Sequence, residues 1–194
     1  MTWMLTATGA CIDLRFIAAD AIRLEDIAHH LSQLNRFGAC ARPYSVAEHS
    51  LLVVQIMEHA GVTSPHVLMA GLMHDAHEAY TSDLSTPMKD AVGPAWHAVE
   101  NRVKHAVRRH FSVLVASQSG AQAIKAADLT ALSTERAQLM PPDGPDWPCT
   151  RMHPPISWAV LADRLRMSWE DWRQAFIDKH DELDHARHED PRAS

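Results

Sequence analysis

The sequence predicts an all-α fold, a compact helical bundle that opens on a short N-terminal β-hairpin or two extended pieces. Three observations predict it. Apolar residues recur at helical spacing from residue 20 onward, and Ser, Pro and Gly stand where those segments start and stop. Only the opening stretch alternates in the manner of a strand.

In order, WMLTATGACIDLRF alternates weakly around Thr8 and Gly9 and is the one β candidate. From Asp20, AIRLEDIAHHLSQLNRF sets Ile22, Ile27, Leu31 and Leu34 near one stripe, with Glu25 and Asp26 in the first turns; a helix is expected to run to near Gly38. Ser45 caps VAEHSLLVVQIMEHAG, Glu48 completes a capping box, and Gly61 stops the helix. Ser64 and Pro65 start SPHVLMAGLMHDAHEAY, expected as one helix whose middle is apolar nearly all round and belongs in the core. After SDLSTPMKDAVGP come two amphipathic helices, AWHAVENRVKHAVRRHFSVL and SGAQAIKAADLTALSTERAQLM. The stretch MPPDGPDWPCTRMHPP holds six prolines and reads as a loop. ISWAVLADRLRMSWEDWRQAFIDKHDELDHARHED reads as one or two helices with a charged tail beyond Leu183. With no repeat and no linker, residues 1–194 form one domain, with a core over about 20–140 and a helical extension over 155–187.

Composition narrows the classes. No window approaches the ~20 apolar residues needed to span a bilayer, and the N-terminus lacks a basic segment followed by an apolar run. The expectation is a cytoplasmic protein. A net charge of -6 gives no general attraction for a phosphate backbone, so a nucleic-acid polymer is not an expected partner. Cys11, Cys40 and Cys149 are odd in number and far apart, and are expected as reduced, partly buried thiols. Fourteen histidines, several inside apolar segments, are the first pointer to a metal.

That pointer sharpens in GLMHDAHEAYTSD. His74 and Asp75 follow Leu72 and Met73, so an imidazole and a carboxylate are held in an apolar interior, where either one unpaired would cost several kcal/mol. A bound cation removes that cost. Neighbouring helical residues project about 100° apart and can grip one ion only as adjacent ligands, so other helices must supply the rest. His49 in SVAEHSLLVV and Asp128 in IKAADLTAL are polar residues in apolar contexts and supply them. Two imidazoles and two carboxylates suit manganese, cobalt, iron, zinc or nickel.

The pattern His49, His74-Asp75, Asp128 resembles the signature of the HD-domain metal-dependent phosphohydrolase superfamily. Three segments, LEDIAHHLSQLNRFGACARPYSVAEHSLLV, LMHDAHEAYTSDLSTPMK and KAADLTALSTERAQL, are similar to its bacterial and phage 5'-deoxynucleotidase-like branch. The resemblance implies an HD-domain helical bundle holding one divalent ion on those four residues. It implies catalytic roles for Glu78 and Asp83, which stand three and eight residues after Asp75. Glu78 lies one turn from His74 and Asp75 and is placed as the acid–base group; Asp83 reads equally as a turn residue before LSTP. Arg36 matches the arginine that such proteins set against phosphate, and Phe37 the aromatic residue beside the sugar. Lys89 and Lys125 are further substrate-binding candidates, with ordinary surface lysines as the alternative. His77 joins them as a nucleotide-contacting or ligand-supporting group, with plain surface exposure as the alternative.

The other polar and aromatic clusters read as structure. His29-His30 is a packed or capping pair, KHAVRRH a solvated face near a helix C-terminus, and Trp158, Trp169 and Trp172 core or dimer-contact aromatics. The expected reaction is hydrolysis of deoxynucleoside 5'-monophosphates to deoxynucleoside and phosphate. The alternatives are cleavage of a deoxynucleoside triphosphate to nucleoside and triphosphate, a non-catalytic nucleotide-binding regulatory module, and a structural metal protein. A homo-oligomer fits the resemblance.

Overall fold

A computed structural model describes residues 3–39, 43–161 and 166–190. Strands β1 (Met4–Leu5) and β2 (Cys11–Ile12) pair antiparallel, with Met4 opposite Ile12 and Leu5 opposite Cys11. The hairpin is stapled to the bundle by the fully buried Asp26. Its carboxylate accepts from the Thr8 backbone N–H and the Thr8 hydroxyl, each at 2.7 Å.

Ten α-helices follow among the described residues. They are α1 (Leu24–Gln33), α2 (Val46–His59), α3 (Pro65–Leu72), α4 (Glu78–Thr81), α5 (Thr86–Val92), α6 (Pro94–His110), α7 (Leu114–Ser119), α8 (Ala121–Leu139), α9 (Cys149–Met152) and α10 (Trp169–Glu189). The all-α class holds. None of these helices is long and apolar enough to cross a membrane.

Helix α2 is the axis of the bundle. Residues 46–54 are buried on every side, Val46, Ala47, Leu52, Val53 and Val54 among them, and α1, α3, α8 and α10 pack around the helix. Its start is as the sequence predicts: Ser45 Oγ accepts from the Glu48 N–H at 3.2 Å, and Glu48 Oε1 accepts from the Ser45 N–H at 3.0 Å. A second such box, Ser168 with Asp171, opens α10, which buries Trp172, Phe176 and Leu183. Helices α2 and α3 approach closely at Gly71, where a β-carbon would lie 2.4 Å from the buried Met57 Sδ.

Several expected boundaries move. Helix α1 begins at Leu24, because Ile22 and Arg23 are extended and Ile22 is buried, and it ends at Gln33 rather than near Gly38. Beyond it the chain forms a short antiparallel clip. Arg36 N–H donates to the Tyr44 carbonyl at 2.9 Å, Val46 N–H to the Leu34 carbonyl at 2.9 Å, and Tyr44 N–H to Asn35 Oδ1 at 3.1 Å. A helix continuing here would break that clip.

The expected helix over 64–80 is interrupted. Residues 73–77 wind as successive tight turns, with N–H groups of His74, Ala76 and Glu78 donating to carbonyls three residues back. The Gly71 carbonyl accepts from the His74 backbone N–H and also from the His74 ring, which diverts it from helical pairing with Asp75. TPMKDAV, outside the expected helices, forms the whole of α5, with Ser85 at its N-cap and Pro87 in its first turn. The helix through FSVL stops at His110, and Ser112 takes a left-handed φ of 55° before α7. The proline-rich loop contains the short α9. Cys11 is exposed rather than partly buried; Cys40 and the Cys149 side chain lie outside the described residues.

Candidate metal centre

Helices α2 and α8 and the turn after α3, where three helices were expected, bring His49, His74 and Asp128 within reach of one ion, with Asp75 alongside. His49 comes from the second turn of α2, His74 and Asp75 from the tight turns after α3, and Asp128 from the middle of α8. His49 Nε2 stands 3.2 Å from His74 Nε2, 3.4 Å from Asp128 Oδ1 and 3.7 Å from Asp75 Oδ2, and His74 Nε2 is 3.1 Å from Asp75 Oδ2. Ligand atoms about 2.1 Å from a shared ion stand about 3.0–3.4 Å apart when adjacent; three of these separations fit the edges of one coordination polyhedron, and the 3.7 Å from His49 to Asp75 is longer.

The far side of each ring explains why these nitrogens face inward. His49 Nδ1 donates to Glu135 Oε1 at 2.6 Å and His74 Nδ1 donates to the Gly71 carbonyl at 2.7 Å. Both acceptors require a proton on Nδ1, so each Nε2 turns its lone pair toward the other. Two lone pairs at 3.2 Å need a cation or a proton between them. Burial and the Arg36 charge work against an imidazolium at His49, yet Glu135 and Asp128 outweigh them and raise it to about 9. Asp75 and Asp128 are both held below the usual carboxylate range, against their burial, by the two histidines. His49, His74 and Asp128 could together hold a metal ion.

Glu135 was not anticipated, and it organises two neighbours at once. While Oε1 takes His49, Oε2 accepts from Arg36 Nε at 3.1 Å, and Glu135 is fully buried. Arg36 is thus fixed beside the centre, with its charge felt by Asp83, Asp75 and Glu78. A sequence signal for Glu135 existed: it stands seven residues after Asp128, two helical turns along the same face. Phe37 follows in a left-handed conformation, φ 56°, under the Arg36 guanidinium and 5.7 Å from the Trp147 ring.

Glu78 is 4% exposed, and burial together with the charges of Asp75 and Asp83 pushes its carboxyl well above the usual range, against Arg36 and Lys89. Its Oε2 has no hydrogen-bond partner and its Oε1 is 3.9 Å from Lys89 Nζ. Asp83 is half-buried and pushed up by burial first. Lys89 donates to Glu100 Oε1 at 2.6 Å, and exposed Lys125 donates to Asp128 Oδ2 at 2.9 Å, so both lysines are engaged by carboxylates at the rim. His77 is no surface residue: it is 1% exposed, and its Nε2 lies 3.6 Å from Glu100 Oε1. A cleft of about 330 Å³ opens beside Glu78, lined by His29, His30, Gln33, Leu34, Ala79 and Ser82. His30 is packed as expected, its Nδ1 against the Ala79 carbonyl at 2.8 Å, and His29 meets the edge of Trp169. Trp172 is a core residue, whereas Trp158 is 44% exposed and stacks on His59.

Fold and site together define an all-α protein with a buried His/Asp centre able to hold a cation, oriented by a carboxylate behind it. Over 142 residues the chain is 34% identical to an uncharacterized protein of Rhodobacter capsulatus, spanning 71% of this chain and 72% of that one. It is 32% identical over 149 residues to the uncharacterized protein YfdR of Escherichia coli K12, spanning 76% of this chain and 78% of YfdR. The chain belongs to the family of these two proteins. No protein-family model matches the sequence.

Proposed function

We propose that this protein is an HD-type, divalent-metal-dependent phosphohydrolase that acts on nucleotides, with deoxynucleoside 5'-monophosphates as the first substrate class. The observation that carries the reading is the pair of buried Nε2 atoms facing each other 3.2 Å apart, flanked by Asp75 and Asp128, with an acid of raised pKa one turn away. His49, His74, Asp75 and Asp128 are the residues that would hold the ion. Lewis acidity at the phosphoryl oxygens and acidification of a water molecule are the chemistry that an ion supplies there when bound.

The chain's own groups do the rest. Arg36, anchored through Nε to Glu135, offers a fixed positive charge to the phosphoryl oxygens. Glu78, whose carboxyl is biased toward the protonated form by its buried setting beside Asp75, is a proton donor for the 5' oxygen as the P–O bond breaks and its electron pair stays on that oxygen. Asp83 is the carboxylate that orients the attacking water and takes its proton. Water and phosphomonoester then leave as nucleoside and phosphate. The cleft beside Glu78 has room for the sugar and base, and Phe37 lies on the Arg36 side.

Lys89 and Lys125 are held by Glu100 and Asp128, which favours a single phosphate over a chain of three, because neither ammonium is left to neutralise added charge. The test incubates chelated and manganese-, cobalt- or zinc-loaded protein with deoxynucleoside mono- and triphosphates and identifies the product. Orthophosphate from a monophosphate, absent after chelation, is expected; triphosphate as product would move the substrate to the longer chain. Glu78→Gln should lower turnover by about 10²–10⁴-fold with the metal content retained. A metal-loaded protein that binds nucleotides but hydrolyses none would reduce it to a binding module.

A further inference from the structure

We propose that Asp75, His77 and Glu78 form a second divalent-cation site, adjoining the His49/His74 centre through the shared Asp75. One donor atom from each of the three lies within 4.8 Å of the others, so a single ion can reach them all. The tight-turn backbone over 73–77 produces this cluster. Winding close to three residues per turn places Asp75 almost directly over Glu78, whereas an α-helix would offset them.

Two further observations point to a ligand. Neither ring nitrogen of the 1%-exposed His77 has a partner within 3.5 Å, Glu100 Oε1 standing 3.6 Å from Nε2 as a weak contact and Nδ1 facing none, and Glu78 Oε2 is buried without a partner as well. Unsatisfied buried polar atoms are costly, about 1–3 kcal/mol each, and an ion can take one His77 nitrogen together with a Glu78 oxygen. A divalent ion would satisfy one imidazole nitrogen and remove the repulsion between the carboxylates of Asp75 and Glu78. Glu100, 3.6 Å from His77 Nε2, adds negative charge behind the site, and Lys89, 3.9 Å from Glu78, opposes it, so this site is the weaker of the two.

The metal chemistry does not depend on the hydrolase reading, but one consequence does. An ion at this site would take Glu78 as a ligand and remove the proton donor, so activity should rise and then fall as metal is added.

Equilibrium dialysis of the full chain against Mn²⁺ alone tests the site. The wild type should take up two ions per chain in two steps, and His77→Ala one, with affinity for the first ion within about threefold of wild type. Wild-type saturation at one ion per chain overturns the proposal whatever the variant does. Equally, a His77→Ala protein that still binds two ions excludes these ligands. Should His77→Ala fail to fold, as judged by circular dichroism, His77→Gln replaces it with the same expectation. Phosphate release with uptake saturating at one ion per chain would leave the hydrolase standing while this site fell; two-step uptake with no phosphate release at any metal level would do the reverse.

Discussion

His49 and His74 on one side of Asp75, and His77 on the other, are all buried imidazoles, yet they are held in opposite ways. The first two are each tethered at Nδ1, one by a carboxylate from α8 and the other by a backbone carbonyl, so that only Nε2 remains to face the centre. His77 has neither nitrogen tethered, and Glu78 beside it is equally loose at Oε2. The difference teaches where preorganisation was built. The tethered pair presents donors whose orientation was fixed during folding, whereas the untethered pair must be ordered by whatever binds it. A high-affinity and a low-affinity site are expected from the same few residues.

The change expected to disturb this contrast most is Glu135→Ala. It strips the tether from His49 and leaves the buried Arg36 charge uncompensated, which should cost about 3–5 kcal/mol in denaturant unfolding. First-site metal affinity should fall about 10–100-fold. If affinity is unchanged in the folded variant, tethering is irrelevant and the contrast collapses.

Proton competition comes next. Because His49 retains its proton up to about 9, metal must displace that proton, and apparent first-site affinity should drop by up to about tenfold per unit as pH is lowered from 9 toward 7. A flat profile over that range would mean that His49 is not a ligand. The His77 proton should add little there, since burial, followed by the opposing pull of Glu100, leaves that imidazole below its ordinary value.

Gly71→Ala probes the approach of α2 and α3 that brings His49 to His74. Its methyl group would meet Met57 Sδ, and a loss of about 1–3 kcal/mol in thermal or denaturant unfolding is expected. Smallest of all, Lys125→Ala removes a two-thirds-exposed partner of Asp128 and should shift stability by under about 1 kcal/mol. A larger loss would show that the ammonium is integral to the site.

Much of this was readable from the chain itself, for physical reasons that also mark where reading stops. Ser45 with Glu48 is a local contract between four consecutive residues, and local contracts survive folding unchanged. His49, His74, Asp75 and Asp128 were legible because polar side chains inside apolar helices need a partner. The break after Leu72 was not, because it depends on the His74 ring capturing the Gly71 carbonyl, and no propensity scale records such a bond. Glu135 carried only its seven-residue spacing from Asp128 as a signal: STERAQL resembles an exposed helical face, and the packing of α8 on α2 makes that face interior. His77 was misjudged for the same reason, its burial being decided by α6 and Glu100 rather than by its neighbours in sequence.

The clip that joins Asn35 to Ser45 carries an implication for how such chains diversify. Hydrogen bonds from Arg36 to Tyr44 and from Val46 to Leu34 lock the base of the connection between α1 and α2, independently of what its tip contains. Insertions or deletions at the tip would leave the guanidinium of Arg36 in register with the centre. The length of this connection is thereby uncoupled from the placing of the charge that its base sets beside the centre.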